Sequence, residues 1–144
     1  MTNPTPSPLR SFRVNLHGGH VADARENENT AASATVGSVA LKPLGGSFED
    51  LCDRLSALPR THLEPDGSFV HRGPERPIHI DGMIYDANGQ VQYVQLWGTV
   101  DQCTWQNLVS VLANAQPCEL SVQDLQSGEL LGLERFESNH WKIG

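Results

Sequence analysis

Two spacings of apolar residues run along this chain, and each predicts its own kind of element. Phe12, Val14 and Leu16 alternate with Arg13 and Asn15, which predicts a strand over residues 9–16. His17-Gly18-Gly19-His20 breaks that pattern. Val36, Val39 and Leu41 predict a second strand, closed by Gly45-Gly46. The period then changes. Phe48, Leu51, Cys52 and Leu55 follow the i, i+3, i+4, i+7 stripe of an amphipathic helix, with Ser47 as its N-cap, Asp50 placed for a capping box and Pro59 as its stop. A second helix follows Asp101, its cap, with Trp105, Leu108, Val109 and Leu112 as its stripe.

Three hairpins are predicted from turn chemistry. Thr61–Glu64 and Ser68–Arg72 flank Pro65-Asp66-Gly67; Ile78–Asp86 and Gln90–Gly98 flank Ala87-Asn88-Gly89; Glu119–Gln126 and Glu129–Phe136 flank Ser127-Gly128. Each places a glycine where a positive φ is wanted. Hairpins joined by tight turns imply an antiparallel, meander-like sheet, and two helices with one apolar stripe each imply that they pack on one of its faces. The expected class is α+β.

The central hairpin permits a register argument. A three-residue loop at Ala87-Asn88-Gly89 pairs Asp86 with Gln90 and sets Ile80 opposite Leu96 and Gly82 opposite Val94. One face then holds Ile78, Ile80, Ile84, Val94 and Leu96, the side expected beneath the helices. The other pairs Tyr85 with Val91, Met83 with Tyr93, Asp81 with Gln95, and His79 with Trp97. That second face is too apolar to stand bare in solvent, yet it carries His, Asp and Gln. Either the N-terminal strand or another chain covers it, or it is a ligand groove. Such a groove would have aromatic walls from Tyr93 and Trp97 and polar contacts from His79, Asp81 and Gln95. His79, Asp81, Met83, Tyr93, Gln95 and Trp97 are the candidate ligand or partner surface.

Length fits one domain: 144 residues suffice to bury about 68–70% of the unfolded chain's surface without metal or disulfide. Residues 1–8 hold three prolines and read as a disordered tail, and residues 9–144 as a single domain. Within it the polar, alanine-rich segment 22–35 reads as a mobile loop. Three cysteines without CxxC spacing, a polar start unlike a secretory signal and no apolar run of membrane-spanning length point to a cytoplasmic protein. The net charge of −7, with 17 acidic against 10 basic residues, argues against nucleic acid and anionic membranes as partners. Single-strand stacking on Tyr93 and Trp97 is the nucleic-acid reading that this charge disfavours. The sparse basic pairs Arg10 with Arg13 and Arg72 with Arg76 do not reverse it.

The histidines carry the remaining candidate chemistry. His17 and His20, with Asp23 nearby, could supply two metal ligands, but the glycines between them make a poor scaffold. His62 and His71, with His79, lie on neighbouring predicted strands, and Asp81 shares the face of His79, the spacing of a base with its orienting carboxylate. No cofactor is expected. Cys52 sits on a helix stripe and reads as core. Cys103 lies in the first turn of the second helix, where a thiol pKa would fall, although packing is its more ordinary role.

Leu63-Glu64-Pro65-Asp66-Gly67-Ser68-Phe69-Val70, then Asp81-Gly82-Met83-Ile84-Tyr85-Asp86, then Tyr93-Val94-Gln95-Leu96-Trp97-Gly98 resemble a family of small uncharacterised bacterial proteins, over residues 61–112. The resemblance implies a recurring domain and no activity. The leading expectation is a non-enzymatic binding or protein-interaction module, its partner a protein or small molecule and a homo-oligomer among the options. The alternative is a metal-dependent or acid–base enzyme using the clustered His and Asp residues.

Overall fold

The computed structural model describes residues 8–19, 42–73, 78–113 and 120–141. The expected tail 1–8, apart from Pro8, the 22–35 loop, the strand at Val36–Leu41, His20, Asp23, Arg76 and Cys118 lie outside the described residues.

Strand β1 spans Arg10–Gly18, helix α1 Phe48–Ser56, β2 Thr61–Leu63, β3 Ser68–Arg72, β4 His79–Ala87 and β5 Gln90–Val100. Helix α2 follows at Gln102–Leu112, then β6 Leu120–Asp124, β7 Leu130–Gly132 and α3 Leu133–His140. The seven strands among the described residues join one sheet in the order β2-β3-β4-β5-β1-β6-β7, and every pairing between them is antiparallel. The chain is a mixed α+β protein. The described helices number three where the sequence predicts two. No helix among the described residues is long and apolar enough to cross a membrane.

Both anticipated helices are set by the residues that predict them. Ser47 Oγ accepts the Asp50 amide at 3.0 Å, and Asp101 Oδ1 accepts the Thr104 amide at 3.0 Å. The Asp50 carboxylate pairs with Arg54, one helical turn on. The stripes of Leu51 and Leu55, and of Trp105, Leu108, Val109 and Leu112, join Phe12, Val14, Leu16, Ile80, Ile84, Val94 and Leu96 in one buried core.

The central hairpin corrects the expected register. Asn88 and Gly89, at φ 54° and 80°, form a two-residue turn of the mirror-image type that matches strand twist, in place of a three-residue loop. A bulge between Tyr85 and Asp86 then leaves Gln92 unpaired, and beyond it Tyr85 faces Tyr93, Met83 faces Gln95 and Asp81 faces Trp97. Each of those pairings is displaced by two residues from the expected one. A displacement of two returns every side chain to its own face, so the sorting of Ile80 and Leu96 from Asp81 and Trp97 survives. Val91 does not follow that sorting. It lies on the turn side of the bulge, so it points into the core, fully buried, and not beside Tyr85.

The last hairpin needs a larger correction. The expected strand Glu129–Phe136 ends at Gly132 and becomes α3. Leu133 and Phe136, three apart, are both buried, and Phe136 packs at 5.2 Å from the ring of Trp105.

Candidate functional site

The N-terminal strand does not cover the mixed face of the central hairpin. It extends it: β1 lies beside β5, with Arg13 opposite Trp97, Asn15 opposite Gln95 and His17 opposite Tyr93. Phe12, Val14 and Leu16 go to the core side, and Ser11, Arg13, Asn15 and His17 go to the other. The face so formed reads in rows across three strands, since β4, β5 and β1 are neighbours: His79–Thr99–Ser11, Asp81–Trp97–Arg13, Met83–Gln95–Asn15 and Tyr85–Tyr93–His17. Val70 of β3 extends the second row beside Asp81, and Gln123 of β6 extends the third beside Asn15.

Every residue in these rows is half-buried or exposed, in contrast to the fully buried Ile80, Val94 and Leu96 behind them. Trp97 is 37% exposed and Tyr85 38%, unusually open for aromatic side chains in the middle of a sheet. Tyr85 and Tyr93 stack at 4.6 Å, and His17 lies 5.2 Å from Tyr93, giving an aromatic ladder of three rings. Tyr85 donates its hydroxyl to Gln95 Oε1 at 3.4 Å. Asn15 Nδ2 donates to Gln123 Oε1, also at 3.4 Å. Asn15 Oδ1 and His17 Nε2 are shielded from solvent and have no hydrogen-bond partner among the described residues. All six residues of the candidate surface, His79, Asp81, Met83, Tyr93, Gln95 and Trp97, lie on this face. Sequence reasoning missed Arg13, Asn15 and His17, although the alternation of β1 between polar and apolar residues marks a half-buried strand of the same sheet.

The histidines separate. His79 Nε2 lies 3.7 Å from Asp81 Oδ2, and His62 Nε2 lies 2.9 Å from Glu64 Oε1, both pairs on or beside the open face. His71 points the opposite way, 4% exposed, with its Nδ1 2.9 Å from the hydroxyl of Thr61. His17 is in β1 and not in a glycine turn, against the ring of Tyr93. Among the described residues no group of three or more His, Cys, Asp or Glu side chains is arranged to hold a metal ion. Cys103 is exposed, not packed, and receives a weak contact from Asn107 at 3.8 Å. Cys52 is half-buried against the core, where burial first, then the carboxylates of Asp53, Asp86 and Glu49, push its thiol pKa up.

Two imidazoles titrate below their ordinary 6.5. Burial lowers His17, an effect that Gln123 beside it partly offsets; burial and then the Arg60 guanidinium lower His71. As pH falls through 6.5 the unfolded chain takes up these protons while the folded chain does not, so stability present above that pH is lost below it. The urea midpoint is therefore expected to drop between neutral pH and about pH 5. In His17→Gln/His71→Gln that dependence should flatten, and an unaltered slope would count against the assignment.

Comparison of the chain with protein-family models, with curated proteins and with solved structures finds no match.

Proposed function

We propose that this protein is a non-enzymatic binding or interaction module, and that its contact surface is the open face of β4, β5 and β1. The observation that carries this reading is the combination on one sheet face of exposed Trp97 and Tyr85 with a stacked aromatic ladder and an amide row. Helices on the side of Ile80 and Leu96 alone would leave this side for a partner. Aromatic rings with polar tips, set on a rigid sheet, are the residues that dominate contact surfaces: they offer large area at low entropic cost. The sparse charge at the centre of the face also suits it to desolvation. A second reading, acid–base chemistry, draws on the His79–Asp81 approach of 3.7 Å, with Asp81 orienting the imidazole.

Hydroxyl-radical footprinting tests the proposal. Trp97, Met83 and Tyr85 are expected to be labelled freely in dilute purified protein, and to be protected several-fold in concentrated protein or in an extract of its own cells. Equal labelling under all three conditions would overturn the reading.

A further inference from the structure

Resting on that reading of the open face, we infer that its partner is a second copy of this chain, docked face to face about a two-fold axis running along β5. The rows across β4, β5 and β1 contain twelve residues, of which two are charged under the usual count of Asp, Glu, Lys and Arg: Asp81 and Arg13. These two lie in the same row on opposite sides of Trp97. Neighbouring strands are about 4.8 Å apart, so Asp81 and Arg13 stand roughly 10 Å from one another with Trp97 between them, and they are not paired with each other within one chain. Arg13 has no ion-pair partner among the described residues.

A two-fold axis along β5 exchanges left for right. It sets Asp81 opposite the partner's Arg13 and Arg13 opposite the partner's Asp81, giving two ion pairs from one charge pattern, as an isologous contact requires. The same operation sets Tyr85 over the partner's His17 and Met83 over the partner's Asn15, and it brings no like charges together. The reach is right as well: packed sheets lie about 10 Å apart, a gap that one short acidic and one long basic side chain span together.

Charge makes self-association through this face specific. The chain carries −7, so most surfaces of two copies repel, whereas these twelve positions sum to zero. The area is of the right order. With β3 and β6 at its margins the face spans five strands at about 4.8 Å and seven residues at about 3.3 Å, a plane of roughly 550 Å² that side-chain relief enlarges toward the ~800 Å² per partner of a stable interface. Arg72 of β3, beside His79, is the charge those margins add.

Sedimentation equilibrium of the full chain tests this, with circular dichroism melts to show that each variant folds. The wild type is expected to reach twice the monomer mass as concentration rises. Arg13→Glu places a carboxylate opposite the partner's Asp81 at both ends, and Asp81→Arg places a guanidinium opposite the partner's Arg13. Each single variant should weaken the dimer by roughly tenfold or more. The double variant Arg13→Glu/Asp81→Arg should restore it, and the two single variants mixed together should associate where neither does alone. A wild type that stays monomeric to millimolar concentration, or a dimer that both single variants leave untouched, overturns the second copy as partner. If Trp97 and Met83 are then still protected in cell extract, the open face remains a contact surface for a different partner. If they are not, the wider reading fails too.

Discussion

Trp105→Ala is expected to cost about 4 kcal/mol of folding stability, the largest loss from any single truncation in this core. Trp105 is fully buried, and its ring lies 5.1 Å from Phe12, 5.2 Å from Phe136 and 5.7 Å from Trp141. It therefore joins the sheet through β1, the last helix through Phe136, and the segment beyond that helix through Trp141. Its Nε1 donates to Glu137 Oε2 at 2.9 Å, so truncation also strands a carboxylate that has Gln106 as its other partner. The hole left behind has walls from three different elements, which cannot collapse together without moving the sheet relative to both helices. Equilibrium urea denaturation measures the loss. A cost near that of an exposed substitution, within about 0.5 kcal/mol, would show that Trp105 does not hold these layers together.

Gly98→Ala is expected to cost on the order of 3 kcal/mol, from strain and overpacking together. Gly98 has φ +152°, and a Cβ built there would lie 2.3 Å from the carbonyl oxygen of His79. That oxygen belongs to the backbone of β4, so it cannot swing aside as a side chain could. The two strands must separate where Trp97 and His79 sit, and the variant should lose stability and disturb the open face together. Denaturation combined with tryptophan fluorescence, to which Trp97, Trp105 and Trp141 all contribute, reads both. A variant as stable as wild type, with unchanged emission, would mean that the close approach of β4 and β5 at this point is not needed.

How much of this was legible in the sequence depends on what kind of information each element carries. Helices α1 and α2 announce themselves twice, by a cap at Ser47 or Asp101 and by a stripe at helical spacing, and two independent local signals rarely mislead. The two faces of β4 and β5 were legible because a period of two sorts side chains whatever the pairing. Their register was not, for the same reason: sliding a strand by two residues changes every partner but no side chain's face. Only the choice between a turn at Asn88-Gly89 and a longer loop distinguishes the registers, and the bulge that moves Val91 into the core leaves no mark in hydrophobicity. Helix α3 was hidden because Leu131 and Leu133 continue a strand-like alternation up to the residue where Leu133 and Phe136 begin a helical one. Gly132 precedes it with no side-chain cap. The placement of β1 between β5 and β6 joins residues about eighty and a hundred positions apart, and no local pattern encodes such a pairing. The sorting of side chains to that face was thus legible along one hairpin, and the strand that widens the face was not.

The two outermost strands are three residues long each, Thr61–Leu63 on one margin and Leu130–Gly132 on the other. A chain approaching either margin would find a ladder too brief to hold it, so growth of the sheet sideways into a ribbon or fibre is poorly rewarded. With margins this blunt, the self-association proposed through the open face would close at two copies and not run on.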